Sequence, residues 1–477
     1  MQLPELPCPK STLGMYLGLP LLLLQLILLH PYYQLKYPGS KLIRKAVLPI
    51  QLYMAFATLP KRIIEPRSAY LHFNFSLVSL TAFHFICLSI ICAFHQGAVY
   101  KTEAEIFETR NSIEKNDSRK SLSDKEITTT EELSKQNLQK KSESVNSKSQ
   151  ALKRPSIGEQ TRWIISFLMS PRGLKCVWAP PENVVPLLPK MSAKQFLIET
   201  YIWAVVMHIW FQFICAFGVA SVSNPRGAYG VLTDDFGLPS WKILEFYSPY
   251  LLTIVLGGGA YSGFALVGCL FNLIEVSLIH LWRAILPEGN QFRPEPFDST
   301  YYPPLFNEPF IRTSLAEFWG KGWQAVFRHH FLFCGALPMY KIFGRFGKTA
   351  GKLAGVMGAM MLSAAMHEFC LVSVSKPDPS YSSTKMFLIQ GVGIVLEAIF
   401  QKVTGHRVEG ILGWLWTFSF VILNGRPMVD AWKRNGLGNS EGAVNFKQWG
   451  LIQYFVPFGA FITDNVYYYL KDKLMFK

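Results

Sequence analysis

The chain has 477 residues, half of them hydrophobic and only 17% charged, against about a quarter charged in soluble domains. Mean hydropathy is +0.20 and the apolar residues are gathered in blocks, which excludes a soluble multidomain reading and makes the bilayer the relevant solvent. The net charge of +15 flanks apolar segments, as with Lys41, Arg44, Lys45, Lys61 and Arg62 around residues 46–59, a placement that fits anionic headgroups and membrane lipids instead of nucleic acid.

A membrane-crossing helix needs about 20 apolar residues. The first candidate is 13–29, preceded only by Lys10 and followed by His30-Pro31-Tyr32-Tyr33. It lacks the basic flank and small-residue cleavage site of a signal peptide and reads as a retained helix. Residues 46–59 and 70–94 follow. Residues 101–160 are polar, rich in Ser, Lys and Glu, with 12 basic and 11 acidic residues. Such a segment cannot bury enough apolar surface to order itself, and its near-neutrality leaves the basic excess in the membrane part of the chain. The run Arg162 to Met169 is too short to span and reads as an interfacial helix. Ser170-Pro171-Arg172-Gly173 reads as a turn.

Residues 196–222 form the next candidate span. The block 244–286 is too long for one span, and Gly257-Gly258-Gly259 predicts two helices joined near the glycines. A proline-rich polar stretch, 287–322, changes into Arg312-Thr313-Ser314-Leu315-Ala316-Glu317-Phe318-Trp319-Gly320-Lys321-Gly322-Trp323. Thr313 or Ser314 with Glu317 has the spacing of a helix N-terminal cap, so a short surface helix is expected to lead into 326–343. The last candidates are 353–374, 386–403, 410–423 (ended by Asn424-Gly425-Arg426-Pro427) and 449–462. The expected fold is all-α, a polytopic bundle of roughly eight to eleven spans with interfacial amphipathic helices. Three regions are expected: N-terminal membrane helices over 1–98, a disordered loop over 99–160 and a membrane core over 161–477.

Candidate chemistry starts at His367-Glu368, in the apolar run 353–374. Ionisable groups at membrane depth are costly and mark functional sites. The helix face of His367 carries Met360, Ser363, Ala364, Cys370 and Leu371, with Gly351, Gly355, Gly358 and Ala359 upstream, small enough to let another helix or a ligand chain approach. Two readings stand on composition alone: a structural histidine bonded to a neighbouring helix, or a neutral general base. Glu368 projects about 100° away and is expected to hold a different helix. Glu397 is a second intramembrane charge in need of a partner. The cations of 312–328 beside Trp319 and Trp323 fit a clamp for a phosphorylated cofactor or an interfacial aromatic belt. The adjacent His329 and His330 do not share a helix face. The eight cysteines lack any CxxC pair, read as small buried hydrophobes and offer no zinc site. There is no GxSxG elbow, and the sequons at Asn74 and Asn116 are weak.

The string Asn307-Glu308-Pro309-Phe310, then Thr313-Ser314-Leu315-Ala316-Glu317-Phe318-Trp319-Gly320, then Met366-His367-Glu368 resembles the membrane-bound O-acyltransferases of the wax-synthase-like branch, which has many fungal members. Ser170 to Gly173 resembles a segment upstream in those relatives, and the resemblance covers about residues 160–460 in order and spacing. It implies an all-helical enzyme with a tunnel through the membrane, set in the endoplasmic reticulum, with no permanently bound cofactor. It implies acyl transfer from acetyl-CoA or another acyl-CoA to the hydroxyl of a lipophilic alcohol. His367 takes the general-base position and Gln324 the second active-site position. Arg312, Trp319, Lys321 and Trp323 form the expected cofactor-binding set; no metal is implied. Two positions depart from the family pattern: Gly322 replaces a basic residue, and Gln324 stands where His or Asn is usual. A glutamine amide can donate to an oxyanion but cannot exchange a proton near neutral pH. The expected activity is an O-acyltransferase, first an acetyltransferase acting on a terpenoid or other secondary metabolite, with a wax-ester synthase as the alternative. The competing classes are a transporter using His367 and Glu397 as relay groups, which needs paired related halves, and an inactive membrane scaffold, which needs His367 to be dispensable.

Overall fold

The computed structural model describes residues 13–58, 79–101, 154–168, 172–181, 184–185, 188–374 and 377–435. The principal helices are α1 (Leu13–Leu29), α2 (Ser40–Thr58), α3 (Leu80–Phe94), α4 (Ile157–Leu168), α5 (Ala193–Ser223), α6 (Lys242–Ile285), α7 (Lys348–Val374), α8 (Ser382–Thr404) and α9 (Gly410–Arg434). The only β-type pairing among the described residues is the isolated antiparallel bridge of Tyr100 with Cys176. The architecture is an all-α membrane bundle.

Among the described residues four helices are long and apolar enough to cross a membrane: α5, α6, the stretch Lys348–Ser373 of α7, and α8. The other expected spans fall on shorter or interrupted elements, or on residues outside those described. Helices α1 and α3 have 17 and 15 described residues. The 326–343 segment is split into a short helix, a widened turn over Phe331–Ala336 and a second short helix, Leu337–Phe343. Helix α9 does not end at 424–427 as expected; it runs through Pro427 to Arg434, and its last two turns carry Arg426, Asp430, Lys433 and Arg434. Residues 449–462, both sequons and most of the polar loop lie outside the described residues.

Helix α6 also corrects an expectation. It is a single 44-residue helix with no break at the glycines, about 66 Å long at 1.5 Å per residue. The glycines serve packing. A Cβ at Gly259 would lie 2.9 Å from Ile214 Cγ2, and one at Gly263 would lie 2.9 Å from a ring carbon of Phe211. Phe211 and Ile214 of α5 therefore sit in the groove that Gly259 and Gly263 leave, and the two helices run antiparallel.

The N-terminal helices are joined by a buried cation. Arg44, read from sequence as a flanking charge, is 1% exposed. Its Nη1 donates to the carbonyls of Cys92 and His95, at the C-terminus of α3, where the last carbonyls lack intrahelical donors. Gln25 Nε2 of α1 donates to Arg44 O at 2.6 Å. Among the described residues the cysteines are free thiols, as small buried hydrophobes should be.

Helices α7, α8 and α9 form two successive antiparallel hairpins. The first is recorded by Gly391 of α8 against Met357 and Met360 of α7, the second by Gly393 of α8 against Phe420 of α9. On its other side α7 meets the widened turn backbone to backbone. A Cβ at Gly335 would lie 2.5 Å from Gly358 O, and one at Gly358 would strike Gly335 O. Gly358→Ala should therefore lower the thermal midpoint of the purified protein in detergent, by the ~1–3 kcal/mol typical of overpacking. Gly355→Ala, one turn away, would place its methyl 3.6 Å from its nearest neighbour, Ala336 O, and should be neutral or stabilising by up to ~1 kcal/mol of helix propensity. Equal midpoints for the two variants would disprove the close approach.

Candidate active site

The site is assembled around a turn that precedes the helical hairpins. Asn307 fixes its entrance: its N–H donates to Gly322 O at 3.0 Å and its Nδ2 to Val184 O at 3.2 Å. Glu308 adopts a left-handed backbone (φ 48°) ahead of Pro309. Arg312 then forks back onto Asn307 O, with Nε at 3.1 Å and Nη2 at 2.7 Å. Gly322 packs directly against this clasp; a Cβ there would lie 2.9 Å from Arg312 Cγ and 3.0 Å from Pro309 Cα. The departure at Gly322 thus has a steric reason, because the stem of Arg312 fills the space that a side chain at 322 would need.

Ser314 is the N-cap, with Oγ accepting from Glu317 N at 3.1 Å. The helix it starts, Leu315–Glu317, lasts one turn before widening over Phe318–Gly322. Lys321 pairs with Glu317 at 2.9 Å. The two remaining free amides at the start of this helix meet a carboxylate from the membrane interior. Glu397 of α8 accepts from Leu315 N at 2.7 Å and Ala316 N at 3.0 Å, and from Trp416 Nε1 of α9 at 2.9 Å. The partner that Glu397 required is the Ser-Leu-Ala-Glu turn itself.

Trp319 reaches α8 one turn further on. Its Nε1 donates to Gln390 Oε1 at 3.0 Å, and its ring meets Phe387 edge-on with centroids 5.7 Å apart. Phe387 in turn stacks on His367 of α7, at 4.2 Å between centroids and 30° between planes. Met360, Ala364, Met386 and Met428 pack in one apolar cluster with Phe387 and Trp319, and Trp432 of α9 lies near-parallel to the imidazole at 6.4 Å. His367 Nδ1 is 2.8 Å from Ser363 O. A carbonyl can only accept, so Nδ1 carries the proton and Nε2 is left with its lone pair. His280 makes the same bond to Val276 O, so the bond alone is no mark of catalysis. What sets His367 apart is its surroundings. Glu368 faces elsewhere, as its 100° offset requires, and accepts from Thr384 N at 3.1 Å and Thr384 Oγ1 at 3.0 Å in the first turn of α8.

Of the residues expected from sequence, His367 and Trp319 are brought together through Phe387. Arg312 and Lys321 are engaged within the turn. Trp323 stacks on Phe318 at 5.6 Å and meets Phe306 edge-on at 5.2 Å, on the side of the turn facing α6. No hydrogen bond joins Gln324 to His367 among the described residues. Gln324 Oε1 accepts from Val326 N at 2.8 Å and Phe327 N at 3.4 Å. Phe327 belongs to the cluster that contains Met366 and Cys370, the neighbours of His367 along α7. Sequence reasoning missed Phe387 and Gln390. Their signal was there, since both share with Glu397 one stripe of α8 at spacings of three and seven residues.

Residues 302–389 match the profile of the Membrane bound O-acyl transferase family, a segment that runs from the turn through His367 to Phe387. The chain is 29% identical over 107 residues to a long-chain-alcohol O-fatty-acyltransferase of Simmondsia chinensis, covering 22% of this chain and 30% of that protein. It is 28% identical over 129 residues to the probable long-chain-alcohol O-fatty-acyltransferase 8 of Arabidopsis thaliana, covering 26% and 37%. It is 26% identical over 104 residues to the acyl-CoA–sterol O-acyltransferase 1 of the same plant, covering 22% and 30%. The matched region spans about a third of the length of these curated relatives.

The Trp319–Gln390 bond offers a direct check on how the turn is tied to α8. Gln390 is fully buried, so Trp319→Phe strands its carbonyl oxygen and should cost about 1–3 kcal/mol. Adding Gln390→Leu removes the stranded acceptor. The double variant should be less destabilised than the sum of the two single ones, with a coupling of about 1 kcal/mol in a thermal-denaturation cycle. Simple additivity would mean that the bond contributes nothing.

Proposed function

We propose that the chain is an acyl-CoA-dependent O-acyltransferase that esterifies a long-chain alcohol within the membrane. The observation that carries the reading is the state of His367, an imidazole whose Nδ1 proton is held by Ser363 O and whose Nε2 is left to accept, inside the segment matched by the family profile. In the proposed reaction Nε2 takes the proton of the acceptor hydroxyl as its oxygen attacks the thioester carbon. The tetrahedral intermediate collapses with cleavage of the C–S bond, and the imidazolium returns the proton to the departing CoA thiolate. Gln324 is the proposed oxyanion donor. Its carbonyl oxygen is engaged by Val326 and Phe327, while its amide N–H groups make no hydrogen bond among the described residues.

The choice of a long acyl chain and a fatty alcohol over the acetyl transfer first expected rests on two supports. The relatives named for an activity are mostly long-chain-alcohol O-fatty-acyltransferases. The rings that meet His367 are those of Phe387 and Trp432, and Phe387 packs among methionines, an environment that suits a flexible alkyl chain. One relative named for a sterol acceptor favours a second reading in which the alcohol is a rigid polycyclic. The proposed location is the endoplasmic reticulum membrane.

Membranes containing the protein, supplied with labelled palmitoyl-CoA or acetyl-CoA and either hexadecanol, a sterol or a terpenoid alcohol, should form hexadecyl palmitate fastest. His367→Ala should lower turnover by about 10²–10⁴-fold, the usual weight of general acid–base catalysis. Full esterification by His367→Ala would remove the general base from the scheme, and preference for acetyl-CoA with a terpenoid alcohol would reverse the substrate assignment. For Gln324, Ala should abolish more activity than Asn does, since Asn keeps the donor; equal rates for both variants and wild type would make it a bystander.

A further inference from the structure

Glu397 takes no part in the chemistry proposed above, yet three donors from two segments converge on it. Two are the backbone amides of Leu315 and Ala316, and the third is the indole of Trp416. The same stripe of α8 carries Gln390, which holds Trp319, and Phe387, which stacks between Trp319 and His367. Spacings of seven and ten residues are close to two and three helical turns, so a single rigid helix face reads the turn at two points and the imidazole at a third. We propose that Glu397 is a positioning residue for acyl transfer, fixing the Ser314–Gly322 turn so that Trp319 and Phe387 hold the ring of His367 in its reactive orientation. This rests on the acyltransferase reading.

The geometry makes the carboxylate hard to replace. A glutamine at 397 would offer one carbonyl oxygen in place of two acceptors. Its NH₂ would face a backbone N–H, donor against donor, with no acceptor between them. The turn would then lose part of its anchorage on α8, and the aromatic stack on His367 would loosen by a fraction of an ångström, a displacement that costs rate more than affinity.

The test uses the purified full-length protein in lipid nanodiscs with palmitoyl-CoA and hexadecanol. Glu397→Gln should lower kcat by about 10–100-fold while KM for each substrate stays within about threefold. Trp416→Phe, which removes one donor and keeps an aromatic ring, should lower kcat a few-fold in the same pattern. His367→Ala is run alongside. If His367→Ala is inactive but Glu397→Gln and Trp416→Phe both retain wild-type kcat, the positioning role is overturned and the acyltransferase reading stands. If Glu397→Gln does not accumulate, Trp416→Phe decides: unchanged kcat, or a rise in KM alone, overturns the proposal. If His367→Ala keeps full turnover, the general-base reading itself fails, whatever the Glu397 variants do.

Discussion

The structure of the site depends on one buried carboxylate. Glu397 is 8% exposed on a helix that is long and apolar enough to cross a membrane, where an unpaired charge costs several kcal/mol. That cost is offset only where donors converge, and here they come from the start of the Leu315 turn and from Trp416 on α9. The requirement sets the register of the turn on α8 and of α8 against α9 together. It also explains local oddities. Gly393, one turn before Glu397, has no side chain because Leu315 and Phe420 converge there, with a Cβ falling 2.5 Å from Leu315 Cδ1 and 2.9 Å from a ring carbon of Phe420. The helix that begins at Ser314 widens after one turn, which lets Trp319 reach Gln390 while the amides of Leu315 and Ala316 stay on Glu397.

Charge elsewhere in the turn is arranged to hold its shape. Arg312 binds Asn307 O twice, and Lys321 binds Glu317. Both cations belong to the expected cofactor-binding set, and their bonds within the chain close the turn on itself. The ring of His367 meets Phe387 and Trp432, and Phe387 packs in turn with methionines and Trp319. With Nδ1 donating to Ser363 O, the free lone pair of the ring is on Nε2.

The sequence made the class of fold and the two intramembrane charges legible, because a charge in an apolar run stands out whatever its tertiary neighbours. His367, Glu397 and the Ser314 cap could be singled out from sequence in this way. What remained hidden was decided by packing. Gly257 to Gly259 read as a break, yet the helix runs through them and Gly258 and Gly259 face Ile214 of α5, a role that only the position of Ile214 reveals. Pro427 read as a stop, yet α9 continues through it, carrying Trp432 to the face of His367. Arg44 looked like a headgroup anchor and proved to be a cap for the carbonyl end of α3. Gln390 is an unremarkable polar residue until the indole of Trp319 is placed beside it.

Gln324 shows how a substitution that looks like a loss can be consistent with the proposed chemistry. A side-chain amide has an acceptor end and a donor end, and which end faces a neighbour is fixed by what the other end meets. The amides of Val326 and Phe327 can only donate, so they bind Oε1 and set the orientation of the group. The NH₂ is then the end left over. Phe327 packs with Met366 and Cys370, which puts this segment at the level of His367 along α7. In the proposed reaction a residue so held stabilises developing negative charge without competing for the proton, which passes through His367 alone; the orientation of each group is set by backbone partners, the N–H groups of Val326 and Phe327 and the carbonyl of Ser363.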